Sequence, residues 1–161
     1  MMNMVTRLFT RGEPALSEAS RRDAAALAQL HGASFHRGWS DGEFERLLIE
    51  RNTVAHRATV GRTTAGFIMS RLIEGEAEIL SVAVASSWRG RGLARKLLNL
   101  HLGRLAGLRA KTVFLEVDED NAPARRLYAR AGFREVGRRP GYYPKDSGKA
   151  TAALILRRDL V

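Results

Sequence analysis

A chain of 161 residues, 45% hydrophobic and 27% charged, has the size and mix of one globular domain over 1–161. It has no cysteine, which excludes disulfides, thiolate metal sites and a cysteine nucleophile, and no stretch approaches the ~18 apolar residues of a membrane span. The net charge is +10, and all of it lies in the second half: residues 1–80 carry 10 basic and 10 acidic side chains, residues 81–161 carry 17 and 7. That asymmetry points to an anionic partner, a nucleic acid, the ribosome surface or a phosphate-rich cofactor, although arginines also serve plain solubility. Met1 to Gly12, broken by Arg7 and Arg11, has no signal-peptide core, so a cytoplasmic protein is expected.

In chain order, Met4 to Phe9 alternates weakly and reads as a first strand. Ser20 to Ala33 reads as a helix, with Ala24, Leu27 and Leu30 or His31 on one face. Ser40-Asp41-Gly42-Glu43 is a capping box before a second helix carrying Phe44, Leu47 and Leu48. Thr53 to Val60, Thr64 to Leu72 and Glu76 to Val84 read as three strands separated by turns at Gly61 and Gly75, a pattern of an antiparallel meander. Leu93, Leu97, Leu100, Leu105 and Leu108 then suit one face of a helix, and Thr112 to Val117 is a short β-branched run. Ala122 to Ala131 is a helix with Pro123 in its first turn and Gly132 as its stop. Phe133 to Gly137 and Ala150 to Arg157 close the chain as strands. The order β-α-α-β-β-β-α-β-α-β-β predicts an α/β protein whose sheet has antiparallel and parallel parts.

The sharpest chemistry lies where Val82-Ala83-Val84 runs into Arg89-Gly90-Arg91-Gly92-Leu93-Ala94. The first N–H groups of a helix lack internal partners, glycines let that backbone approach a ligand, and the helix dipole favours negative charge. Arg89, Arg91 and Arg95 add positive charge, so the segment reads as a pyrophosphate cradle. It lacks the Gly-Lys-Ser/Thr ending of a P-loop and the glycine spacing of a dinucleotide fingerprint. A plain turn and helix cap also accounts for the glycines alone.

This segment resembles the coenzyme-A loop of the GCN5-related N-acetyltransferases, Arg/Gln-x-x-Gly-x-Gly/Ala, with Arg89, Gly92 and Ala94 in its positions. A second block, Leu115-Glu116-Val117 through Asn121, then Leu127-Tyr128, Gly132-Phe133 and Tyr142-Tyr143-Pro144, is similar to the ribosomal-protein alanine N-acetyltransferase branch of that superfamily. The resemblance is strong from Ile79 to Pro144 and weak before Ala33. It implies a mixed, mostly antiparallel sheet splayed around the cofactor site, with about four helices, and acetyl-CoA as acetyl donor without a metal. It also implies site roles. Glu116 takes the proton of the attacking amine, directly or through water. Tyr128 protonates the departing thiolate or donates a hydrogen bond to it. Val82, Ala83 and Val84 work through their backbones, pairing with the pantetheine arm and holding the thioester oxygen. Arg89, Gly90, Arg91, Gly92, Leu93 and Ala94 form the pyrophosphate loop, and Asn121 binds the coenzyme-A chain or caps its helix.

The acceptor implied is a protein N-terminus, an alanine of a ribosomal protein in the matching branch. Trp39, Tyr142 and Tyr143 are candidates to shape its slot, with core packing an equal explanation. Glu43, Glu45, Glu50 and Asp118 to Asp120 are candidates to guide a positively charged peptide end. A lysine or small-molecule amine remains the alternative acceptor. A basic domain that only binds ribosome or nucleic acid is the non-enzyme alternative, against which Glu116 and Tyr128 argue together. His31, His36, His56 and His101 show no metal spacing; surface or capping roles are expected for His31 and His36.

Overall fold

The computed structural model describes residues 12–35 and 37–161. The expected strand Met4 to Phe9 and His36 lie outside the described residues. The elements are β1 (Ala15–Glu18), a 3-10 turn (Arg21–Asp23), α1 (Ala24–Ser34), α2 (Asp41–Ile49), β2 (Thr53–Val60), β3 (Thr63–Ile73) and β4 (Glu76–Val84). A second 3-10 turn (Ser86–Trp88) leads to α3 (Leu93–Gly107), β5 (Thr112–Asp118), α4 (Ala122–Arg130), β6 (Arg134–Tyr143) and β7 (Thr151–Asp159). The seven strands form one mixed sheet in the order β1-β2-β3-β4-β5-β7-β6. Among the described residues the order of elements begins with a strand the sequence reading did not anticipate: β1 is antiparallel to β2, from Ala15 opposite Thr59 to Glu18 opposite His56. With four residues, three of them exposed, β1 carries too little apolar alternation to announce itself.

Local chemistry sets the boundaries. The N–H of Glu43 donates to Ser40 Oγ (3.2 Å) and the N–H of Ser40 donates to the Glu43 carboxylate (3.0 Å), so both residues cap α2 reciprocally. Asn121 Oδ1 accepts from the Ala124 N–H at 3.2 Å and starts α4. Two-residue turns after β2 and β3 permit only antiparallel pairing, whereas β4 and β5 are parallel and need the crossover that α3 provides.

The described residues fall into two compact units, the first comprising residues up to 70 together with 81–102, the second 71–80 and 103–161. In the first, Leu27, Phe44, Ala58, Phe67, Ile68 and Met69 are buried. His31 sits among rings there, stacked on Trp39 (centroids 4.5 Å) and edge-on to Phe44 (5.5 Å). In the second, Val113, Leu115 and Val117 alternate inward along β5, Leu115 beside Leu156 and Val117 beside Leu154 of β7, and Phe133 is buried as well.

Two expectations need correction. The buried face of α3 is Leu93, Leu97, Leu98, His101, Leu102 and Leu105, while Leu100 and Leu108 are 40% and 39% exposed. At about 100° per residue the buried arc centres on His101, and Leu100 falls outside its rim. His31, expected at a surface or cap, is also buried: its Nδ1 accepts from the Trp39 N–H at 3.0 Å. Burial pushes the His31 pKa down, against the pull of the Glu43 charge.

Candidate functional site

In the first unit, Val82 and Val84 are half-buried and Ala83 is buried at the end of β4. Gly90 and Gly92 have φ of +74° and +78°, the left-handed region that glycine enters without Cβ strain. They fold the turn so that α3 opens at Leu93, with its first intrahelical bond running from the Lys96 N–H to Gly92 O (3.1 Å). The amides before Lys96 therefore have no acceptor in the preceding turn of helix. Arg89 Nε donates to Val84 O at 3.1 Å, tying the turn to the strand end, and the Arg91 guanidinium lies over the Trp88 ring, 4.9 Å from its centroid. Leu93 is buried and anchors the first turn.

The electrostatics of this helix start are unusual. A stable helix places acids in its first turn, as α2 does with Asp41 and Glu43. The first turn of α3 holds no acid, and Arg91, Arg95 and Lys96 surround it. Free amides, the positive dipole end and cations that no acid among the described residues pairs with all favour a bound anion.

In the second unit, β5 supplies Glu116. The β4–β5 ladder runs over Glu76–Glu78 with Thr112–Phe114, while β7 pairs with β5 along its length, placing Ile155 opposite Glu116. Glu116 is half-buried on the face opposite Leu115 and Val117. A cleft of about 640 Å³ lies over this face, with Phe114, Glu116 and Ile155 along its floor and Arg71 and Arg139 also lining it. Arg139 reaches in from the edge strand β6, its guanidinium 3.3 Å from Glu116 Oε1 and 5.7 Å from the Tyr142 ring centroid. Tyr143 belongs to the same neighbourhood: burial raises its phenol pKa, and the Glu116, Tyr142 and Asp118 charges raise it further. Tyr142 is 50% exposed and meets Tyr143 edge-on at 5.0 Å.

Tyr128, on α4, is buried against Phe133 (centroids 5.6 Å, edge-on), and burial pushes its phenol up to about 12. Trp39, in the first unit, is half-buried in the His31 cluster. Three acids expected to steer a peptide are already engaged, Glu43 in the cap of α2, and Asp118 and Glu119 in the second half of the chain. Asp118 Oδ1 accepts from the Thr151 hydroxyl (2.7 Å) and the Asp120 N–H (3.0 Å) while Lys145 pairs with its other oxygen, and Glu119 pairs with Arg138. Burial raises the Asp118 pKa, but the bonds from Lys145, Asp120 and Thr151 outweigh it and hold the carboxyl below its usual range.

The sequence reading missed Glu76, Glu78 and Arg139, which share the cleft with Glu116. The alternation of exposed Glu76 and Glu78 with buried Ala77 was visible, but the strand that pairs beside them was not. Among the described residues, no three His, Asp or Glu side chains are placed to hold a metal, and no helix is long and apolar enough to cross a membrane.

The family model described as Acetyltransferase (GNAT) family matches residues 24–133. The chain is 35% identical over 91 residues to the [Ribosomal protein bS18]-alanine N-acetyltransferase of Haemophilus influenzae, an alignment that covers 56% of this chain and 62% of that protein. To the protein of the same name from Escherichia coli it is 29% identical over 140 residues, covering 87% of this chain and 94% of the relative. The crystal structure of the Escherichia coli ribosomal-protein-S18-alanine N-acetyltransferase superposes with a TM-score of 0.85 at 26% identity, over 91% of this chain and 94% of that one.

Proposed function

Because the chain belongs to the GNAT acetyltransferase family, we propose that it moves an acetyl group from acetyl-CoA to a protein N-terminal amine, the terminal alanine of a ribosomal protein being the acceptor that the names of its relatives point to. Residues 1–161 work as one acetyltransferase domain in this reading. The observation that carries it is the start of α3, where left-handed glycines, unbonded amides and arginines without a neighbouring acid match a diphosphate. Gly90 to Ala94 and Arg89 would hold that diphosphate, Val82 to Val84 would offer strand amides and carbonyls to the pantetheine arm, and Asn121 keeps its role as the cap of α4.

A peptide α-amine has a pKa of about 7.7–8.0, against about 10.4 for lysine, so a carboxylate suffices to take its proton near neutral pH. Glu116 is the group in the cleft suited to that task, and Arg139 holds its carboxylate in place. The neutral amine attacks the thioester carbon, its proton leaves to Glu116, and the C–S bond breaks. Tyr128 acts on the sulfur side. Burial pushes the Tyr128 phenol up to about 12, so it resists giving up its proton. Tyr128 therefore serves as a hydrogen-bond donor to the developing charge, and the thiolate is protonated by solvent.

The test follows free thiol release from acetyl-CoA with alanine-ended peptides and with N-terminally blocked peptides that contain lysine. Faster release with the alanine-ended set is expected, and Glu116→Gln should abolish most of it. Preference for the blocked set rejects the N-terminal assignment, and no release with either rejects the transferase reading.

A further inference from the structure

We propose that Glu76 and Glu78 select acceptors carrying a lysine or arginine shortly after the acetylated residue, an inference that rests on the acceptor reading of the Glu116 cleft. On β4, Glu76 and Glu78 are exposed while Ala77 and Ile79 are buried; on β5, Phe114 and Glu116 are half-exposed while Val113 and Leu115 are buried. The parallel register sets Glu78 beside Phe114, so all three glutamates project from one face of the sheet into one cleft. With strands about 4.8 Å apart and a rise of about 3.3 Å per residue, Glu78 stands roughly 8 Å from Glu116 and Glu76 roughly 14 Å. An extended acceptor whose amine sits at Glu116 spans that distance with its second to fourth residues.

Charge complementarity names the occupant. Glu116 has Arg139, Asp118 has Lys145 and Glu119 has Arg138, whereas no ion pair among the described residues engages Glu76 or Glu78. The chain also shows what the cleft accepts: a guanidinium, that of Arg139, already lies in it against a carboxylate and beside an aromatic ring. Floor residues Phe114 and Ile155 suit the methylene stem of a long cationic side chain, whose head group then reaches the glutamates. Four carboxylates, Glu74, Glu76, Glu78 and Glu116, against two guanidiniums, Arg71 and Arg139, leave the cleft net negative, which in a protein of net charge +10 keeps the acceptor's cationic end from being repelled.

The test uses alanine-ended peptides that differ only at the third residue, Arg, Gln or Glu, and reads kcat and KM for each at low salt. The expected Arg-over-Glu preference in kcat/KM is about 5- to 10-fold, carried by KM, and it shrinks in high salt. In Glu76→Gln/Glu78→Gln the ratio falls to within about 2-fold, and in Glu76→Lys/Glu78→Lys it inverts. Because each ratio is taken within one preparation, partial unfolding of a variant cancels. Equal kcat/KM for the Arg and Glu peptides, or a preference that survives the double Gln change, overturns this inference while leaving the N-terminal acetyltransferase reading intact. No turnover of any alanine-ended peptide overturns both.

Discussion

Mild acid should loosen this protein through His101. The ring is fully buried on α3, with Nε2 2.6 Å from Ser70 Oγ and Nδ1 2.8 Å from His56 Nδ1. Burial first, and the charge on His56 second, push its pKa from 6.5 down to about 3. The unfolded chain therefore takes up a proton near pH 6.5 that the folded chain refuses down to about pH 3. Stability from the neutral ring is complete above about pH 6.5 and is lost as pH falls through that window, at about 1.4 kcal/mol per pH unit. Between pH 7.5 and 5.5 this one residue should cost about 1.4 kcal/mol, or about 0.7 M in urea midpoint for an m-value of about 2 kcal/mol/M. His31, whose pKa burial also lowers, adds a loss of the same sign. The assay compares urea midpoints at the two pH values for the protein and for His101→Leu. The variant starts lower, because Ser70 and His56 lose a partner, but its midpoint should move less with pH by about that amount. Equal pH shifts in the two proteins would refute the assignment of a buried neutral ring.

Tyr128→Phe should lower kcat by about 100-fold, the usual cost of one donor to developing charge, while acetyl-CoA affinity measured by calorimetry stays within about 2-fold; a loss confined to affinity would remove its catalytic role. Gly92→Ala meets no atom within 4 Å but must hold φ near +78°, so it should cost about 1–2 kcal/mol in thermal or urea unfolding and weaken acetyl-CoA binding in the same calorimetric titration. Gly103→Ala, exposed in the middle of α3 with open space at its Cβ, should instead raise stability by about 0.5–1 kcal/mol in urea unfolding, and any loss there would mean a close neighbour is missing from the account.

Most element boundaries were legible because they are written in local chemistry. The Ser40–Glu43 capping box, the glycine turns around β2 to β4, Pro123 in α4 and the Arg-Gly-Arg-Gly turn before α3 each act within a few residues, so sequence spacing alone places them. The same locality made the α3 cradle and the Leu115-Glu116-Val117 strand visible as candidates. What required tertiary structure was everything that depends on which strand lies beside which. The parallel pairing of β4 with β5 is what brings Glu76 and Glu78 to the cleft of Glu116, and the edge position of β6 is what delivers Arg139 there. His101 shows the converse limit. A polar residue centred on a leucine-rich face reads as surface until Ser70 and His56, 31 and 45 residues away in the chain, are found within hydrogen-bonding distance of its ring. Short-range backbone preferences are encoded residue by residue, whereas burial, pairing and charge compensation belong to contacts between distant segments, and only the folded chain specifies those.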